Sequence, residues 1–241
     1  MVAERTLVVI PARAGSKGVP RKNLKLLGGR PLLHWAGTAA LTATLPDRVV
    51  CSSDSEEICE VARAIGVDTP FLRPPELAQD DTLVVDVLAH ALDWFRQRGE
   101  LFHRVALLQP TSPFVLPGDV DDAIALARST DADTVISGYP AGQRHPSTMF
   151  HIQPDRSVKW VMSDDQRMRR RQELEPVWIR SGLVYVFRAE MISSERKLYG
   201  DTVVAMEVPE TRAVNLDREA DFLLAEFLLA RGLVPDGTES A

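Results

Sequence analysis

"VVIPARAGSKGVPRKN", Val8 to Asn23, sets an apolar run directly against a loop that holds two glycines and, among its four cations, the three that matter here, Arg13, Lys17 and Lys22. The run Leu7 to Ile10 is short and almost unbroken by polar residues, which suits a strand buried on both faces. In an open α/β sheet, ligands settle outside the carboxyl ends of the strands, so the loop after this run stands at the ligand edge. Gly15 and Gly18 let the backbone approach a ligand closely and expose N–H groups, while the three cations suit several phosphate oxygens, about the charge a nucleoside triphosphate needs. Neither GxxxxGK[ST] nor GxGxxG occurs, so the fingerprints of a P-loop and of a dinucleotide fold are both missing. Taken alone, the stretch also reads as a solvated basic turn.

Outward from that stretch the pattern repeats. Arg48 to Ser52, Val105 to Leu108 and Thr134 to Ser137 are further short apolar runs. Amphipathic segments lie between them, at Pro31 to Thr42, Ser55 to Ile65, Val84 to Arg98 and Pro117 to Ser129. Strand and helix in alternation predict a three-layer, Rossmann-like α/β fold with a mainly parallel sheet. From Tyr139 to Ile179 the chain turns polar, loses its period and carries "RMRRRQ", which marks an insertion. The expected division is a core over residues 1–139, an inserted segment over 140–190, a return to the core over 191–234 and a flexible tail over 235–241. In the return, "GLVYVFR" and "TVVAMEV" read as strands, and "READFLLAEFLLARG" as a helix with Ala220, Leu223, Leu224, Phe227 and Leu228 on one face and Gly232 as its C-cap.

Composition narrows the classes. With 241 residues, 45% of them hydrophobic, the chain can bury a large core. A net charge of −6 argues against coating nucleic acid or an anionic membrane, so any anion is bound locally. Cys51 and Cys59 give neither a disulfide framework nor a paired metal site, and read as small packed hydrophobes in a reducing cytoplasm. No apolar stretch is long enough for a signal peptide or a membrane span.

Six stretches together resemble the cytidylyltransferases that activate acidic sugars, typified by acylneuraminate (CMP-sialic acid) synthetases and, more distantly, CMP-Kdo synthetases. They are "IPARAGSKGVPRKN" from Ile10, "LRPPELAQDDT" from Leu72, "LLQPTSPF" from Leu107, "HP" at His145, "RRQELEPVWIRSGLVYVF" from Arg170 and "NLDREADF" from Asn215, in the family's order along nearly the whole chain. The resemblance implies that an acidic sugar's hydroxyl attacks the α-phosphate of CTP, forming a CMP-sugar and pyrophosphate. It implies that Ala12, Arg13, Ser16, Lys17 and Lys22 hold the nucleotide, with Lys22, Arg13 and Lys17 the catalytic cations. Asn23 and Arg73 would contact ribose and base, with Thr82 near the cytosine. Gln109 and Arg171 would bind the acceptor, Arg171 as a clamp on its carboxylate. Mg²⁺ would be held by Asp217 and Asn215, and the insertion would mediate a homodimer.

Plainer readings stand beside these. Asp80, Asp81, Asp119, Asp121, Asp122 and Asp217 also read as helix N-caps, Thr111 and Ser112 as caps of the helix near Pro117, and His145 as part of a turn. Where the family commonly places two aspartates, this chain has Asn215 and Asp217, so one negative charge is missing. Ile179 and Ser181 stand where the family usually has an arginine and an asparagine, which leaves open a different acceptor, including a phosphonate or another non-sugar acid. The wider alternatives are a guanylyltransferase on the same fold and a non-catalytic nucleotide-binding regulator.

Overall fold

The computed structural model describes residues 4–15 and 18–236. Its strands are β1 (Thr6–Pro11), β2 (Leu26–Leu27), β3 (Arg30–Pro31), β4 (Arg48–Ser52), β5 (Arg104–Leu107), β6 (Thr134–Pro140), β7 (Phe150–Ile152), β8 (Val158–Trp160), β9 (Trp178–Arg188) and β10 (Val203–Glu207). The α-helices are α1 (Leu32–Thr42), α2 (Glu56–Ile65), α3 (Val84–Arg96), α4 (Pro117–Thr130), α5 (Asp164–Arg167) and α6 (Glu219–Ala230). Six strands form one sheet in the order β10-β6-β9-β5-β1-β4. Every pairing in it is parallel except those of β9, which runs antiparallel to both β5 and β6. The three-layer, mainly parallel α/β fold expected from the sequence is the fold found.

Alternation along β1 explains the layers. Val8 and Ile10 point into a cluster with Leu33 and Ala36 of α1, Ile58 and Ala62 of α2, and Val120 and Ile124 of α4. Leu7 and Val9 point the other way, onto Val85, Leu88, Leu92 and Phe95 of α3. All four β1 residues are fully buried, and each contributes about 1.5–3 kcal/mol by leaving water. The chain runs from β1 outward to β4 and then back across β1 to β5, so the direction of winding reverses between β1 and β5. A ligand crevice forms at such a reversal.

β9 departs from the expected boundary of the insertion. Its eleven residues pair with β5 and β6, so of the segment 140–190 residues 178–188 belong to the sheet and the excursion between β6 and β9 is 141–177. Between the pairs Gly138↔Arg180 and Ile136↔Tyr185 the register shifts, and residues 181–184 bulge. Buried serines pin that bulge: the Ser181 hydroxyl donates to Ser137 Oγ at 2.7 Å, and Ser137 Oγ donates to the Val184 carbonyl at 2.9 Å. Gly182 takes φ +80°, and a Cβ there would meet Ser112 Oγ at 2.9 Å.

α6 corrects a second expectation. Its packed face is Phe222 and Ala225, with Leu228 and Leu229 against the same cluster as Trp35, Leu27 and Leu216. The stripe read from the sequence is largely outside: Leu223 is 73%, Leu224 49% and Phe227 52% exposed. Gly232, at φ +61°, does end the helix, its N–H donating to the Leu229 carbonyl. Of the tail, residues 237–241 lie outside the described chain.

Candidate active site

The loop after β1 is tied down from beneath. Ala12 N–H donates to the Ser52 carbonyl at 2.9 Å and Ala14 N–H to Asp54 Oδ1 at 2.9 Å, so the ends of β1 and β4 hold its first residues. Asn23 is buried and its amide donates to the Arg13 carbonyl at 2.9 Å, closing the loop on itself. Gly18 is required by packing, since a Cβ there would run into the Asp217 carbonyl oxygen.

Over this loop opens a cleft of about 270 Å³, walled by Arg13, Gly15, Lys22 and Asn23 after β1, by Arg73, Leu77, Gln79, Asp80 and Thr82 between α2 and α3, and by Gln109, Pro110 and Thr111 after β5. It sits at the carboxyl edge where the winding reverses. The structure therefore brings Arg13, Lys22, Asn23, Arg73, Thr82 and Gln109 to one cavity, although they lie far apart in the sequence. Val84 and Val87 of α3 supply an apolar wall. Ala12 is buried in the core cluster beneath the cleft rather than among its walls. Ser16 and Lys17 lie outside the described residues. Arg171 opens a short turn, Arg171–Glu173, within the insertion; it is not among the cleft's walls, and its side chain is outside the described residues.

All three cations of the cleft have a carboxylate within ion-pair range, two of them at hydrogen-bond distance. Arg13 pairs with Asp80 at 2.8 Å, and Lys22 Nζ donates to Asp217 Oδ1 at 2.9 Å. Arg73 differs. It is 4% exposed, its nearest acid is Asp54 at 3.7 Å, and its Nε and Nη2 atoms find no hydrogen-bond acceptor. Burial lowers the Arg73 pKa from its ordinary value, partly offset by the charge of Asp54. A buried guanidinium with unanswered N–H groups on a cleft wall calls for an acceptor from a ligand. Behind it, burial and the charge of Arg73 hold His90 below its usual range, so that this ring adds no second cation near neutrality.

Asp217 was also readable as a cap for α6, but Asp221 takes that part, accepting from the Asp217 and Arg218 N–H groups. The Asp217 carboxylate instead lies between Lys22 and Asn215, whose amide donates to Asp217 Oδ2 at 2.7 Å. Among the described residues, no three acidic, histidine or cysteine side chains gather as a metal site. One carboxylate and one amide carbonyl are hard oxygen donors that fit Mg²⁺ when phosphate oxygens complete its shell.

The structure decides several of the plainer readings. The N-cap residue of α3 is Leu83, so Asp80 is no cap. Asp119 accepts from Leu116 N–H at the start of α4 and forms a buried bidentate pair with Arg212. Asp121 anchors Thr44 and Leu45. Both ring nitrogens of His145 are engaged, with Ser147 and the Glu175 carbonyl, which fits a turn. Ser112 does not cap α4; its buried hydroxyl, without a partner, faces Gly182. Ser181 points into the sheet, where its hydroxyl serves the β9 bulge rather than the cleft.

Sequence reading missed Asp54, the strut between Ala14 and Arg73, because a lone aspartate in "SSDS" carries no spacing signal. It also missed Arg180, an exposed cation at the ligand edge that bonds the Tyr199 hydroxyl. The β9 bulge sets that position, and no local pattern announces it.

A family model described as Cytidylyltransferase matches residues 7–199. A CMP-N,N'-diacetyllegionaminic acid synthase of Legionella pneumophila is 32% identical over 93% of this chain and 96% of its own. An N-acylneuraminate cytidylyltransferase of Streptococcus agalactiae is 28% identical over 91% of this chain, which spans about half (52%) of that longer protein. The structure of a CMP:2-keto-3-deoxy-manno-octonic acid synthetase complexed with CTP superposes with a TM-score of 0.70 at 18% identity, covering 95% of this chain and all of the other, a likeness of fold.

Proposed function

Because this chain belongs to the cytidylyltransferase family, whose model spans residues 7–199, we propose that it transfers CMP from CTP to an acidic sugar of the nonulosonic, sialic acid-like class and releases pyrophosphate. The observation that carries the reading is Arg73, a buried cation with unanswered donors on a cleft whose other walls include Arg13 and Lys22.

Nucleotidyl transfer relies on positioning and on neutralising charge at the reacting phosphate and the leaving group. In this reading the acceptor hydroxyl attacks the α-phosphorus, the bond from that phosphorus to the bridging oxygen breaks, and pyrophosphate leaves with the electron pair while the hydroxyl proton passes to solvent. Lys22 faces the α-phosphate. Arg13 gives up its Asp80 partner to grip the distal phosphates, with Ser16 and Lys17 of the same loop. Asn23 and Arg73 take ribose and base, and Thr82 borders the cytosine. Gln109, beside Gly182 at the far wall, orients the acceptor, and Arg171 of the insertion clamps its carboxylate. Mg²⁺, held by Asp217 and the Asn215 carbonyl, would supply charge neutralisation for the triphosphate.

A homodimer built through residues 141–177 is part of the proposal. It is supported by the β7–β8 hairpin, which leaves Phe150, Ile152, Val158 and Trp160 exposed. A cytoplasmic setting is supported by two free, buried cysteines. Among the described residues, no helix is long and apolar enough to cross a membrane.

Incubating the protein with CTP, GTP, UTP or ATP and a panel of acidic acceptors, nonulosonic acids, Kdo-like acids and phosphonates included, tests the reading through pyrophosphate release. Release with CTP and a nonulosonic acid is expected. Release only with GTP, or CTP binding without release for any acid, would overturn it.

A further inference from the structure

Asp217 is held at four points, although its side chain is largely exposed. Lys22 takes Oδ1 at 2.9 Å, the Asn215 amide takes Oδ2 at 2.7 Å, the main-chain N–H is bound by Asp221 at 2.9 Å, and the carbonyl oxygen packs under Gly18. Resting on the nucleotidyl-transfer reading above, we propose that the Asn215 amide N–H, apart from anything its carbonyl lends to the metal, fixes Asp217 as a cation ligand shielded until the triphosphate arrives.

The physical contrast is with an aspartate at position 215. Two carboxylates two residues apart would replace a hydrogen bond with like-charge repulsion, and such a pair either spreads or captures a cation by itself. An amide does the reverse, because its N–H donates to the neighbouring carboxylate and adds no charge. The Lys22 ammonium then balances Asp217, and the pair has no net charge with which to draw in a divalent ion. Lys22 is one of the cleft's walls, and Asp217, 59% exposed on its side chain, stands directly behind it as the partner of its ammonium. Phosphate oxygens compete for the ammonium. When Lys22 turns to them, Oδ1 is released toward the incoming nucleotide while Asn215 keeps Oδ2 in place. Nucleotide binding thereby unmasks the ligand, and metal and triphosphate enter together.

Mn²⁺ is the probe, read by water-proton relaxation enhancement, which separates protein-bound ion from ion on free nucleotide; CTP binding without metal is read by calorimetry. For the unaltered protein, Mn²⁺ affinity is expected to rise at least about tenfold on adding CTP, the range over which residues that orient a ligand act. Asn215→Asp should bind Mn²⁺ without nucleotide at least about tenfold more tightly than the unaltered protein, and Asn215→Ala should weaken Mn²⁺ in the ternary complex by a similar factor while leaving metal-free CTP affinity unchanged. Equal Mn²⁺ affinity with and without CTP in the unaltered protein, which needs no variant to fold, would overturn the proposal, as would an Asn215→Ala protein with undiminished ternary affinity. Failure of the unaltered protein to bind CTP at all would instead remove the transferase reading, and this inference with it.

Discussion

Replacing Arg73 with methionine should move stability and ligand binding in opposite directions. The guanidinium is 4% exposed and leaves Nε and Nη2 without acceptors. Each unsatisfied buried donor costs about 1–3 kcal/mol, and methionine keeps the apolar stem while removing them. Asp54 would lose a charge 3.7 Å away but keeps the Ala14 N–H at 2.9 Å, and the Arg73 main-chain bond to the Ser53 carbonyl is untouched. The net gain is expected to be about 1–2 kcal/mol, which for a chain of this size raises Tm by about 2–8 °C. Binding should suffer, because at least one charge-assisted hydrogen bond of about 1.5–3 kcal/mol disappears, weakening CTP at least about tenfold and by about 150-fold at the upper figure. Thermal melts without ligand and calorimetric titration with CTP measure both quantities. A lower Tm with unchanged CTP affinity would show that Arg73 is a structural ion-pair member and would refute the reasoning.

Lys22→Ala is expected to lower kcat by about 10²–10³, the scale of one missing transition-state donor, while Tm moves little because its pair with the exposed Asp217 is worth at most about 1 kcal/mol; equal loss of both would remove Lys22 from the chemistry. Arg212→Ala strands Asp119 without its buried partner and should cost about 3–5 kcal/mol in chemical denaturation, with the cleft otherwise unaltered. For acid sensitivity, hydrogen bonds from Thr202 N–H and Arg188 hold Asp133 below its ordinary pKa, and Arg188 does the same for Asp131. A depressed carboxylate contributes its stability above the unfolded value near 4 and loses it as pH falls through the folded value. The Tm gap between the unaltered protein and Asp133→Asn should therefore be constant from pH 8 to about 5 and shrink below about pH 4.

The parts of the fold that could be read in advance were those where one period dominates. β1 shows an apolar run whose alternate residues feed two cores, and Gly15 and Gly18 end it beside the cations, so strand, layer order and ligand edge followed from neighbouring residues. α6 resisted because it is apolar almost all round. Phe222, Ala225 and Leu229 form one stripe and Leu223, Leu224 and Phe227 another, and only the position of the Trp35 cluster decides which is buried. Likewise the β9 bulge rests on Ser137 meeting Ser181 across 44 positions of sequence, a pairing that no local spacing encodes. Of the cleft, the cations and Gln109 were legible through motif, whereas the roles of Asp54 and Asp80 arise from loops converging in space.

Pro140 and Trp178 are register partners on adjoining strands. Everything between them therefore departs and rejoins at points one interstrand spacing apart, about 5 Å. Such a gap is the same whatever length of chain it spans, so a segment of another length between these ends would leave the β6–β9 pairing intact. A segment transplanted from a relative would meet the same two posts, give up the Arg144–Glu210 pair to the core, and leave the cleft walls after β1, β4 and β5 in place.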